Sequence, residues 1–165
     1  MNVDSEHLCA LATEAGELLK SQGMQLVTAE SCTGGWLSKV ITDIPGSSHW
    51  FDRGFITYTN MAKREMLGVS PETLVRYGAV SEEAVREMVS GALKRSHAQV
   101  SVAVSGIAGP GGATIYKPVG MVCLAWNVNG TIKSITQQFE GNREQIRAQA
   151  VRDALQGILK VCERH

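Results

Sequence analysis

The chain has 165 residues, 44% of them hydrophobic, and its 16 basic residues balance 16 acidic ones. This hydrophobic content excludes a disordered chain, and the zero formal charge disfavours general binding to nucleic acid or to an anionic membrane. The four cysteines include no CxxC pair, which indicates neither a zinc site nor a dense disulfide framework. Because the first residues carry acids and no basic region, we expect no signal peptide and predict one cytoplasmic domain over residues 1–165.

The first part of the chain alternates helix and strand signals. Apolar spacing, N-cap residues and glycine stops predict, in chain order, a helix at 4–21, a strand at 26–28, a helix at 36–41, a strand at 54–59, a helix capped by Asn60, and further helices that start at Ser70 and Ser81.

The second part begins with a buried strand at 100–104. Two β-rich runs, at 119–128 and 131–139, flank Asn129-Gly130, which is the strongest short signal for a hairpin. A capping box at 142–145 then opens a C-terminal helix. Early βα alternation followed by a hairpin predicts a three-layer α/β/α domain around a mixed β-sheet.

Two turns rich in glycine and small hydroxyls follow predicted strands. The first contains Ser31, Thr33, Gly34 and Gly35 ahead of a helix, and the second spans residues 105–112. Neither matches a P-loop or a dinucleotide-binding fingerprint. Each turn alone is equally well explained by turn geometry, for which glycine is the default residue. Unpaired amides at the start of a helix would also stabilise a ligand phosphate or an oxyanion.

Ser31 is a candidate nucleophile that needs a base. The histidines fall in predicted helices, in loops or at the terminus, namely His7, His49, His97 and His165. A lysine whose pKa is lowered by burial can take the proton instead, and a tyrosine hydroxyl can relay it. Tyr58 and Lys63 lie where the second predicted strand passes into a helix, so both could point into one crevice at the strand end.

The residues alone leave simpler explanations open. Ser31 could be only an N-cap, Lys63 a solvated helix residue, and Tyr58 a core side chain. Cys32 is a competing nucleophile with His49 as a conceivable base, although a cysteine is often simply a small buried residue. Spacing by itself does not establish a catalytic triad.

Several motifs, taken together, resemble those of the CinA C-terminal domain family. They occur in the family's order and cover nearly the whole chain: TAESCTGG at 28–35, GFITYTN at 54–60 with Lys63, LGV at 67–69, GAVS at 78–81, SGIAGP at 105–110 and KPVG at 117–120. Stand-alone members of this family are nicotinamide-nucleotide amidases.

The resemblance implies an amidohydrolase of pyridine-nucleotide salvage. Nicotinamide mononucleotide and water would give nicotinate mononucleotide and ammonia, without a metal or any other cofactor. By resemblance Ser31 is the nucleophile, and Tyr58 and Lys63 handle its proton. Backbone N–H groups near Thr33–Gly35 or near Ser105 and Gly106 would hold the oxyanion.

Further substrate contacts follow from the same resemblance. Glu30 would orient Lys63 or a ribose hydroxyl, and the phosphate would meet Arg143 or the turn that contains Gly109 and Gly111. We therefore expect a small-molecule substrate, no nucleic acid or membrane partner, and self-association, because closed homo-oligomers are common.

One alternative of a different class stays open. Met61, Asn142 and the loop at 111–116 depart from the family's pattern near the expected substrate site. The chain could therefore be a nucleotide-binding or regulatory module with weak or no turnover. A DNA-linked role, suggested by the family's competence-related name, gains no support from the neutral charge.

Overall fold

A five-stranded mixed sheet forms the centre of the protein, seen in a computed structural model that describes residues 3–163. The strands are β1 (Leu26–Glu30), β2 (Phe51–Ile56), β3 (Val100–Gly106), β4 (Met121–Val128) and β5 (Thr131–Gln138). They lie in the order β2-β1-β3-β4-β5. β1 pairs in parallel with β2 and β3, whereas β4 is antiparallel to both β3 and β5. The carboxyl ends of the three parallel strands therefore meet at one edge of the sheet.

Helices cover both faces of the sheet. They are α1 (Ser5–Ser21), α2 (Trp36–Thr42), α3 (Asn60–Leu67), α4 (Pro71–Tyr77), α5 (Glu82–Lys94) and α6 (Arg143–Cys162), with a 3-10 turn at Ser47–His49. α1, α2 and α6 pack on one face, and α3, α4 and α5 lie on the other. This arrangement confirms the predicted three-layer α/β/α fold. No helix within residues 3–163 is long and apolar enough to cross a membrane.

Strand alternation divides the core into two clusters. Val100, Val102 and Val104 of β3 pack under α1 and α6, whereas the intervening Ala103 packs under α5. The β1 strand is buried on both faces, as expected for the interior of a parallel sheet. These two cores fix the carboxyl ends of β1 and β3 side by side.

Most predicted elements are confirmed to within a few residues, including the Asn129-Gly130 hairpin and the capping box of α6. The boundaries of the second strand are wrong. β2 ends at Ile56 instead of residue 59, because its register with β1 stops where β1 stops, at Glu30. The cap of α3 is Thr59, not Asn60, since the Thr59 side chain accepts the Ala62 N–H.

Candidate active site

A cavity of about 260 Å³ opens at the carboxyl ends of β1 and β3, beside the start of α3. It brings together six of the predicted site residues, namely Ser31, Tyr58, Lys63, Ser105, Gly106 and Arg143. Cys32, Asn60, Ala79, Val80 and Ala108 complete its lining. A crevice at the ends of parallel strands is where α/β folds usually bind their ligands.

Ser31 and Lys63 are in direct contact in this cavity. Ser31 immediately follows β1, and its backbone N–H donates to the Val104 carbonyl of β3 at 3.0 Å. Lys63 lies in the first turn of α3 and is only 1% exposed. Its Nζ is 2.8 Å from Ser31 Oγ and donates to the Thr57 carbonyl, also at 2.8 Å.

The surroundings of Lys63 favour an uncharged amine. Burial lowers the pKa of Lys63 from its ordinary 10.5 to about 8. Within residues 3–163, Lys63 takes part in no ion pair that would hold the proton. A neutral amine can donate one hydrogen to the Thr57 carbonyl while its lone pair accepts the hydroxyl hydrogen of Ser31.

The competing nucleophile has neither a thiolate nor a base. Burial raises the pKa of the Cys32 thiol to about 12, so the thiol stays protonated at neutral pH. His49 precedes β2, and His97 precedes β3, so both lie at the opposite end of the parallel strands from the cavity. His7 is on α1, and His165 lies outside the described residues. This geometry disfavours a Cys32–His49 pair.

The first glycine-rich turn lies beside the cavity but turns its amides inward. Thr33, Gly34 and Gly35 line a separate shallow groove, not the cavity of Ser31. The Gly34 N–H donates to the Ser31 carbonyl, and the Gly35 N–H donates to the Glu30 carboxylate. These amides therefore do not form the oxyanion site that the resemblance placed near Thr33–Gly35.

Glu30 is also absent from the cavity. Its side chain is fully buried, and its two carboxylate oxygens accept hydrogen bonds from the start of α2. It has no hydrogen bond to Lys63, whose side-chain partners in the described chain are Ser31 and Thr57. Glu30 is therefore placed neither to orient Lys63 nor to reach a ribose hydroxyl.

The second glycine-rich turn faces the cavity with free polar groups. Ser105 lines the cavity, and its hydroxyl makes no hydrogen bond within the part of the chain that the structure describes. The Gly109 carbonyl accepts from Arg143 Nη1 at 2.8 Å. Gly111 is exposed and lies outside the cavity lining.

Strand geometry aims the Gly106 N–H at the cavity. The Val104 carbonyl faces β1, and the Ile107 N–H faces β4, where it donates to the Met121 carbonyl. Because backbone groups along a strand alternate between its two neighbours, the intervening Gly106 N–H points to the β1 side. β1 has already ended at Glu30, so this amide faces open space beside Ser31.

Tyr58 and Arg143 form a pair at the mouth of the cavity. Tyr58 is 58% exposed, and its hydroxyl accepts a hydrogen bond from Arg143 Nη2 at 3.1 Å. In residues 3–163 the Tyr58 hydroxyl makes no hydrogen bond with Ser31 or Lys63. The structure therefore brings Tyr58 to the site, but its contact is with the guanidinium.

Sequence reasoning missed two contributions to the site. Arg147 donates to the Cys32 and Thr33 carbonyls at 2.9 and 3.2 Å, and its guanidinium lies 5.6 Å from the Trp36 ring centroid. Its position four residues after Arg143, on one face of α6, is a signal that could have found it. The Thr57 carbonyl is a backbone group, for which the sequence carries no signal.

Comparison with known proteins gives a consistent result. The family model described as the CinA C-terminal domain matches residues 9–162. The chain is 50% identical over 159 residues to a nicotinamide-nucleotide amidohydrolase PncC of Enterobacter agglomerans, covering 96% of this chain and 97% of that protein. It is 52% identical over 157 residues to a protein of the same name from Escherichia coli K12, with 94% of each chain covered.

A solved structure agrees with the fold. The competence/damage inducible protein CihA from Agrobacterium tumefaciens superposes with a TM-score of 0.91 and is 46% identical. The match covers 93% of this chain and 94% of that one. The similarity therefore extends over the sheet, both helical layers and the cavity between β1 and β3.

Proposed function

The chain belongs to the CinA C-terminal domain family, and on that premise we propose that it is a nicotinamide-nucleotide amidohydrolase with Ser31 as nucleophile and Lys63 as base. Its substrate would be nicotinamide mononucleotide, and its products nicotinate mononucleotide and ammonia. The observation that carries the residue assignment is the 2.8 Å contact between Ser31 Oγ and the buried Nζ of Lys63.

The first step forms an ester with the enzyme. Neutral Lys63 takes the hydroxyl proton of Ser31 while Ser31 Oγ bonds to the carboxamide carbon. With a pKa of about 8, roughly a tenth of Lys63 is neutral at pH 7. The Thr57 carbonyl holds the amine in place through its hydrogen bond, so the lone pair stays directed at Ser31.

The tetrahedral intermediate needs donors for its oxyanion. We assign this role to the Gly106 N–H, which faces the cavity beyond the end of β1, with the Ser105 hydroxyl as a second donor. When the intermediate collapses, its C–N bond breaks and protonated Lys63 returns the proton to the nitrogen, which leaves as ammonia.

Water completes the cycle. Lys63 takes a proton from a water molecule that attacks the ester carbon, and the C–O bond to Ser31 then breaks. The proton returns to Ser31 Oγ, and nicotinate mononucleotide leaves. One water is consumed for each ammonia released, which balances the overall hydrolysis.

Arg143 is the cation best placed for the phosphate. It lines the cavity at the mouth, and Tyr58 and the Gly109 carbonyl fix the orientation of its guanidinium. A guanidinium oriented in this way suits a phosphate oxygen pair. The proton-handling role of Tyr58 stays a prediction, and so do substrate contacts from Gly109 and Gly111.

Three further expectations belong to this proposal. Turnover without a metal or cofactor, self-association and a cytoplasmic location follow from the resemblance and the composition. Within residues 3–163, no group of three or more His, Cys, Asp or Glu side chains could hold a metal ion. A rate unchanged by EDTA would support the metal-free reaction, and a rate abolished by EDTA and restored by a divalent cation would contradict it.

The test is ammonia release from nicotinamide mononucleotide by the wild type and by Ser31→Ala. We expect release by the wild type, an acyl-enzyme mass on Ser31 in rapidly quenched samples, and neither signal from the variant. Equal release by both proteins would overturn the assignment of Ser31. Binding of the mononucleotide without any release by the wild type would instead support the alternative, a nucleotide-binding or regulatory module.

A further inference from the structure

Glu30, the residue before the nucleophile, is a fully buried carboxylate with five hydrogen-bond donors around it. One oxygen accepts from the Thr33 hydroxyl at 2.7 Å, from the Gly35 N–H at 3.2 Å and from the Leu37 N–H at 2.9 Å. The other accepts from both the backbone N–H and the hydroxyl of Ser38. Charge-assisted hydrogen bonds of this kind are stronger than neutral ones.

Glu30 supplies the cap that α2 lacks. The N-cap position is Gly35, which has φ +104° and no side chain to bond the first amides of the helix. The Glu30 carboxylate bonds the second and third helical N–H groups, those of Leu37 and Ser38, from the preceding strand. Its negative charge also lies at the end of the helix dipole that favours an anion.

The start of α2 is consequently closed to ligands. Every backbone N–H from residue 34 to residue 38 has a partner within the protein: the Gly34 and Trp36 amides bond the Ser31 and Thr33 carbonyls, and the other three bond Glu30. In many strand–turn–helix sites a ligand phosphate occupies this place. Here the protein's own carboxylate occupies it.

We propose that Glu30 is a positioning residue that fixes the turn carrying Ser31, so that its hydroxyl stays against Lys63. The inference rests on the proposed function, and it replaces a substrate-binding role for Glu30. The turn from residue 31 to residue 35 is tied to this carboxylate through the Thr33 hydroxyl and the Gly35 N–H. A displacement of about 1 Å at a nucleophile can lower a rate by about 100-fold.

The principal test is Glu30→Gln. The amide keeps one acceptor oxygen, but its NH2 group faces N–H donors, so part of the cap is lost. We expect kcat to fall about 100-fold, with KM within about threefold of the wild type, because Glu30 does not touch the cavity. The midpoint of the pH–rate profile should not move, since the pKa of Lys63 is set by burial and by Cys32.

Thr33→Val and Thr33→Ser give a milder version of the same test. Thr33 is fully buried, and valine has its shape without the hydroxyl that donates to Glu30. We expect kcat to fall about tenfold in Thr33→Val and to return to within about twofold of the wild type in Thr33→Ser. Rescue by serine separates the hydrogen bond from the packing of the side chain.

Glu87→Gln is the matched control. Glu87 accepts from the Ser70 N–H and the Thr73 hydroxyl at the start of α4, outside the cavity lining. This variant loses the same kind of helix-start contact, so we expect a lower Tm with kcat unchanged per folded molecule.

Amide hydrogen exchange provides a readout that does not depend on activity. In Glu30→Gln the Leu37 and Ser38 amides should exchange at least about tenfold faster than in the wild type, beyond any global loss of stability. If the wild type released no ammonia, this measurement alone would still decide whether Glu30 holds the turn.

Three results would overturn the inference. A higher KM with kcat unchanged would make Glu30 a substrate contact, and a shifted pH midpoint would make it a partner of Lys63. A change in kcat no larger than that of Glu87→Gln, with Thr33→Val equal to the wild type, would leave Glu30 only a role in stability.

Discussion

The two glycine-rich turns of this protein have similar compositions and opposite hydrogen bonding. In the first turn, at 31–35, Glu30 accepts from the amides and hydroxyl, while Arg147 donates to the Cys32 and Thr33 carbonyls. In the second turn, at 105–112, the Ser105 hydroxyl has no partner in the described chain. Glycine therefore serves two purposes here: the first turn holds a nucleophile still, and the second leaves polar groups for a ligand.

The difference comes from the charged side chains around each turn. Two opposite charges hold the first turn from both sides, whereas the second is anchored by Arg143 through the Gly109 carbonyl. Residues 110–116 are all exposed. Substitutions at the first turn should therefore act mainly on kcat, and substitutions at the second should act on the substrate.

The most severe way to test the first turn is to remove the base that its nucleophile meets. In Lys63→Met the amine is lost while the buried chain keeps its length and volume, so Ser31 has no group to take its proton. We expect kcat to fall at least about 1000-fold, with the mononucleotide still bound. Stopped ammonia assays and equilibrium binding measure the two effects. A loss under tenfold would remove Lys63 from the mechanism.

The same variant carries a pH signature. Wild-type activity should rise as pH increases through about 8, because Lys63 must lose its proton to act as base. Between pH 8 and 10.5 the folded protein has released a proton that the unfolded chain still binds, so stability rises with pH across that window. Below pH 8 the buried charge costs about 3 kcal/mol, and Lys63→Met should recover it. Denaturant unfolding of both proteins at pH 7 and pH 10 tests this, and equal differences at both would contradict it.

The fold was accessible from the sequence because its signals are local. Caps at Ser70, Ser81 and Asn142 and the Asn129-Gly130 turn were placed correctly, since each depends on a few neighbouring residues. The end of β2 was not, because it depends on where β1 stops, and that is a long-range property of the sheet.

The site shows the same division. The Ser31–Lys63 contact joins residues 32 positions apart, and the motif resemblance pointed to it. The inward direction of Glu30 was missed, because a glutamate before a serine gives no sign of which face of the sheet it takes. Its face follows from the alternation of a strand that is buried on both sides.

Ser105→Ala tests the openness of the second turn. Its hydroxyl lines the cavity and has no partner in the described residues, so its loss should leave Tm unchanged while kcat/KM falls about tenfold. Ser101→Ala on the same strand is the matched control, because the buried Ser101 hydroxyl donates to the Val89 carbonyl at 2.8 Å. It should lower Tm and leave kcat/KM unchanged. A drop in Tm for Ser105→Ala would show that the turn is not open.

Tyr58→Phe gives the smallest expected effect and separates two roles for the hydroxyl. A proton relay to Ser31 would make its loss comparable to that of Lys63, seen in kcat. The structure instead bonds the hydroxyl to Arg143, beside the second turn, so its removal frees the guanidinium and leaves the Ser31–Lys63 contact intact. We expect kcat within about twofold of the wild type and KM raised less than tenfold, because one exposed hydrogen bond is worth about 1 kcal/mol. Steady-state kinetics decide between them: a kcat loss of 100-fold or more would assign the tyrosine to the nucleophile, and a KM effect assigns it to the open turn.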